Sequence, residues 1–139
     1  MITNFILTAF VVFLLIWVVF LKKKEKHKPL ENNPLIDRPE NKILIDNILN
    51  NDTEGVKKSF ESYRAAPHSK SQLGESALEL AIQKDNKYIV AYLIKYGAIP
   101  NAIEKEKAFK SGNKEIIEML QTGNHLRLIR EYEFFKKTK

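Results

Sequence analysis

The sequence, 139 residues long, has no cysteine, which excludes a disulfide framework, a thiolate nucleophile and a cysteine-ligated zinc site. Its three histidines, His27, His68 and His125, stand far apart in the chain and cannot complete a tetrahedral site alone, so each reads as a solvated surface residue. Glycine is scarce, with five residues, and none builds a phosphate-cradling loop; G-x-S-x-G and H-E-x-x-H are also missing. The pairs Glu104/Glu106 and Glu115/Glu118 read as exposed helix faces and not as an acid/base couple. Catalysis, a metal, a cofactor and a small-molecule substrate are therefore not expected. Length sets a further bound, because positions 22–139 suffice for one modest core but not for two domains with a cleft between them.

Long apolar runs are present once and only at the start. Within positions 1–21 all but Thr3, Asn4 and Thr8 are apolar, and no side chain is charged. A helix over Ile2–Leu21 would cross a hydrocarbon core of roughly 30 Å, so positions 1–21 are expected to form a transmembrane anchor. Trp17 near one interface and Lys22, Lys23 and Lys24 just beyond it are the expected membrane-interface residues, contacting lipid. A cleaved secretory signal is the alternative, but it would carry its positive charge before the apolar stretch and small residues after it. Five lysines against one glutamate over positions 22–28 place the rest of the chain in the cytoplasm by the positive-inside rule. A bacterial inner membrane fits this compact, cysteine-free chain. Positions 22–41 combine that basic segment with a spacer holding Pro29, Pro34 and Pro39, each of which keeps its predecessor extended.

Beyond position 42 apolar residues recur at helical spacing in short runs, broken at Asn50–Asp52, Pro67–Gly74, Asp85–Asn86, Gly97–Asn101, Gly112 and Gly123. Short helices in pairs imply a solenoid, making the expected fold all-α: an anchor, a linker, and about three helix pairs over 42–123. The clearest unit, from Gly74 to Ala102, contains Ser76-Ala77-Leu78-Glu79, Leu80-Ala81, Ile89-Val90, Leu93-Ile94, Gly97-Ala98 and Asn101. It resembles an ankyrin repeat, with Ser-Ala-Leu-Glu in place of T-P-L-H. Ser76 suits an N-cap, Ala81 a close helix approach, and Gly97 the end of a helix. Glu79, Asp85 and Ile99 depart from the family's histidine, glycine and aspartate, and are expected to weaken the turns. A preceding copy over Ile43–Phe60 matches Val56 with Val90, close to the family's period of roughly 33 residues. A third over Lys107–Leu120 brings Ile117 nearer to Val90 than that period allows, so its hairpin must be shortened.

Positions 124–139 read as a helix capping the last repeat, or else as a basic amphipathic helix that touches a membrane or a partner. The tyrosines Tyr88, Tyr92 and Tyr96, spaced at i, i+4 and i+8, fit inter-repeat packing or an interaction hot spot. The ankyrin resemblance implies a protein partner held by hairpin tips and first helices, which on this chain means His68, Ser69, Lys70 and Gln72 in the hairpin, and Glu75, Glu79 and Gln83 on the helix after it. The expected function is a membrane-anchored adaptor for a protein partner of unknown identity. An immunity-type protein that neutralises a toxin or enzyme at the membrane is the alternative. Little net positive charge lies outside the juxtamembrane lysines, so nucleic acid is not an expected partner.

Overall fold

The computed structural model describes residues 38–139 as seven α-helices with no strand among them. They are α1 (Pro39–Leu49), α2 (Thr53–Glu61), α3 (Ala77–Gln83), α4 (Lys87–Lys95), α5 (Ala102–Ser111), α6 (Lys114–Thr122) and α7 (Leu126–Lys137). Pro39 is the first residue of α1, where its missing N–H costs nothing and its fixed φ suits the helix. The expected transmembrane helix is corrected as part of this fold. None of the described helices is long and apolar enough to cross a membrane. The longest, α7, has 12 residues and carries charge along its length, too short and too polar for a core of roughly 30 Å. The run assigned to the anchor, with Trp17, Lys22, Lys23 and Lys24, lies outside the described residues.

Six helices form three consecutive pairs, α1/α2, α3/α4 and α5/α6. The first members pack in the order α1, α3, α5, and the second members in the order α2, α4, α6. Each pair turns in the same way. A residue in the left-handed region, Asn51 (φ 58°), Asp85 (φ 53°) or Gly112 (φ 74°), reverses the chain, and the next residue, Asp52, Asn86 or Asn113, caps the second helix. The third pair follows the second at a shorter interval than the second follows the first. The shortening falls between pairs, where residues 62–76 precede α3 but only residues 96–101 precede α5.

The turns are joined by side chains into a ladder. Asn86 donates from Nδ2 to Asn51 Oδ1 at 2.8 Å and to Thr53 Oγ1 at 3.1 Å, and Asn113 donates to Asp85 Oδ1 at 2.9 Å. Asp85, expected to weaken its turn, thus supplies an acceptor to the next pair. On the other layer the Ser76 hydroxyl donates to buried Glu104, whose other oxygen accepts from Asn101 N–H in a capping box. Between the layers lies a continuous core in which Leu44, Ile48, Val56, Ile89, Val90, Leu93 and Ile116 are fully buried. The small Ala77, Ala81 and Ala91 let neighbouring backbones approach.

α7 crosses the second-helix layer from α6 over α4 to α2. Its Leu128 is buried and Tyr132 packs on Tyr88 and Tyr92, with ring centroids at 5.3 and 6.0 Å. Ion pairs follow the same path: Arg127 to Glu115 of α6, Glu131 to Lys87 of α4, Glu133 to Lys57 and Lys136 to Glu54 of α2. The helix is therefore a strap over all three pairs. Its contacts use two of the three stripe tyrosines; Tyr96 instead stacks on Phe60 of α2 at 4.5 Å.

Candidate functional site

The connection from α2 to α3 is too long for a plain turn, and its sequence folds it into a finger. Ser69 is fully buried, its hydroxyl donating to Ala66 O at 2.5 Å, and the Ala66 N–H is held by the buried Asn41 of α1 at 2.9 Å. From that anchored base the two sides of the finger pair briefly, with Ala77 N–H to Ser69 O at 2.9 Å and Ser71 N–H to Glu75 O at 2.8 Å. Gly74, at φ 84°, closes the tip, where a side chain would be strained. The result is a rigid base with an exposed tip, and Leu73 on that tip is 66% exposed.

Between the finger and α1 lies a cleft of about 380 Å³. Lys42, Ile45, Asp46 and Leu49 form the helix wall; Lys70, Gln72, Leu73 and Glu75 form the finger wall, with Leu80 beneath. Its chemistry is mixed: apolar Ile45, Leu49, Leu73 and Leu80 lie within a rim of two lysines and two carboxylates. Such a cleft suits an apolar side chain delivered on a polar polypeptide. Among the described residues no group of histidine, aspartate and glutamate side chains is arranged to hold a metal ion.

Of the seven positions nominated from the sequence, Lys70, Gln72 and Glu75 line this cleft, and Ser69 is buried in the base of the finger. His68 lies on the approach to the finger but is not part of the cleft lining. Gln83 donates to Glu75 Oε1 at 3.1 Å and so fixes that carboxylate from the end of α3. Glu79 is engaged by Lys107 of α5, a tie between pairs that leaves its carboxylate occupied. The α1 wall and Leu73 were absent from the nomination. Leu73 carried a legible signal, a lone large apolar residue in a polar loop; the α1 wall did not, because its approach to the finger depends on packing.

No family model, no curated protein and no solved structure matches the chain.

Electrostatics separate the two sides of the molecule. The cleft side has exposed, dispersed charge, while the strap side has a coupled network. Hydrogen bonds from Tyr88 and then Lys87 hold the Glu131 carboxyl below the usual range, and those from Lys57 and then Tyr92 do the same for Glu133. Burial, reinforced by the bond to Glu133, pushes the Tyr92 hydroxyl well up. The hydrogen bond to Glu115 raises Lys87, and that to Glu133 raises Lys57. These groups are satisfied by one another, as the Tyr88 hydroxyl bond to Glu131 at 2.7 Å and the Tyr92 bond to Glu133 at 2.6 Å show. A saturated network of this kind fastens a helix.

Proposed function

We propose that this chain is a protein–protein interaction module of ankyrin-like type that holds one protein partner in the cleft between α1 and the finger. The observation that carries the reading is the cleft itself: an apolar floor, an exposed Leu73 at its lip and a polar rim, on a finger whose base is locked by Asn41 and Ser69. Stacked helix pairs with ladders of capping side chains supply the stiffness such a surface needs, since a preorganised site loses less entropy on binding. Placement at the cytoplasmic face of a membrane is part of the proposal and rests on sequence alone, on the apolar positions 2–21 and the lysines after them.

The direct test places a photocrosslinking residue at Gln72, at the lip of the cleft, and a second at Lys58, exposed on α2. A discrete protein adduct is expected from Gln72 alone, and it should vanish in the Leu73→Asp variant while the helical circular dichroism stays unchanged. Equal adducts from both positions, or an adduct indifferent to Leu73→Asp, would contradict the assignment of the cleft.

A further inference from the structure

The strap keeps apolar and basic groups on the side that does not pack. Its acidic residues, Glu131 and Glu133, turn toward the body, where Lys57, Lys87, Tyr88 and Tyr92 take them. Its apolar anchors Leu128, Ile129 and Tyr132 go the same way. At 3.6 residues per turn, Leu126, Arg130, Phe134 and Lys137 then share an arc of about 80° on the opposite side. All four are exposed, Leu126 by 53% and Phe134 by 65%. Glu115 occupies Arg127 and Glu54 occupies Lys136, but Arg130 and Lys137 enter no ion pair among the described residues. Phe135, 54% exposed and edge-on to Phe134 at 6.2 Å, extends the apolar part toward the C-terminal end.

We infer that the outward face of α7 is a docking surface for an anionic lipid bilayer. A face with two unpaired cations, an exposed phenylalanine and a leucine, and with every carboxylate of its own helix turned inward, complements a negatively charged interface whose outer region is polar and whose inner region is apolar. Charge decides against a second copy of this chain, whose corresponding face carries the same sign. α7 rests on the second-helix layer, so a bilayer against it leaves the first-helix layer and the finger directed into water. The module would meet the membrane with its back and its partner with its front. The inference deepens the membrane part of the proposed function and rests on that reading for its setting.

The absence of cysteine makes the test site-specific. An environment-sensitive fluorophore is attached to Thr138→Cys in the full chain, which is mixed with vesicles of phosphatidylcholine alone or of phosphatidylcholine with phosphatidylserine. Flotation with the neutral vesicles tests the general membrane reading, and the probe tests α7. The expected result is a blue shift with the phosphatidylserine vesicles only, abolished by Arg130→Glu with Lys137→Glu and weakened by Phe134→Ser, each basic residue being worth about fivefold in partition to an anionic surface. Flotation with both vesicle types and an identical probe spectrum in each would overturn the inference while leaving the membrane reading intact. Failure to float with neutral vesicles, together with a serine-lipid-dependent shift, would do the reverse. A shift that follows protein concentration without vesicles would assign the face to a second copy and overturn the lipid assignment.

Discussion

At the scale of single residues the fold depends on positions where small size or one side-chain oxygen decides the geometry. Gly55 in α2 is the sharpest case, because a Cβ there would stand 2.7 Å from Asn47 Cγ and press on the Asp52 cap. Asn47 is not free to yield, since its Nδ2 donates to Ser59 Oγ, which donates in turn to Gly55 O. Gly55→Ala is therefore expected to destabilise by about 1 kcal/mol, despite alanine's better helix propensity, read as a lower denaturation midpoint. At the same scale the sequence was only partly legible. Ser76 as a cap could be read from its place before Ala77-Leu78, and its hydroxyl does accept the Glu79 N–H at 3.0 Å. The role of Asp85 could not, because its partner Asn113 lies 28 residues away and only the stacking of pairs brings them together.

Helices and their pairing were the most legible level, since apolar spacing marks each short helix and the Asn and Gly breaks mark each turn. The destination of α7 was hidden for a physical reason. Its amphipathic pattern shows that one side is buried but not against what, and Glu133 finds Lys57 across 76 residues of sequence. The docking geometry carries two expectations. Removing positions 124–139 exposes Tyr92 and takes away Leu128 and Tyr132, so the melting temperature should fall by at least about 10 °C, a few kcal/mol in a domain of this size. Glu115, Glu131 and Glu133 have folded pKa values below their unfolded ones, so their contribution is present above about pH 4.5 and is lost as pH falls through the folded values. Melts between pH 6 and pH 3 should show this loss, and Glu131→Gln with Glu133→Gln should show a smaller one. Lys57, Lys87 and Tyr92 act in the opposite sense, with raised folded values: their contribution is intact below about pH 10 and disappears as pH rises through those values.

Across the whole described body, two layers and a strap divide the surface into faces with different work. The first-helix layer carries the finger and cleft, whose lining includes Lys70, Gln72 and Glu75, all nominated from sequence; the second-helix layer is covered by α7, and the strap's outer face is basic and aromatic. The proposed protein-binding front rests on the first face and the proposed lipid-facing back on the last. Both depend on the body keeping its shape, so variants that test one face must leave the melting temperature unaltered. The central claim is that the cleft between α1 and the finger holds a protein partner. Its most direct measurement is the dissociation constant of the partner captured at Gln72, for the unaltered chain and for Leu49→Asp with Leu73→Asp, two exposed positions on the two cleft walls. The account predicts at least tenfold weaker binding at an unchanged melting temperature, about 1.4 kcal/mol or more. An unchanged dissociation constant would contradict it.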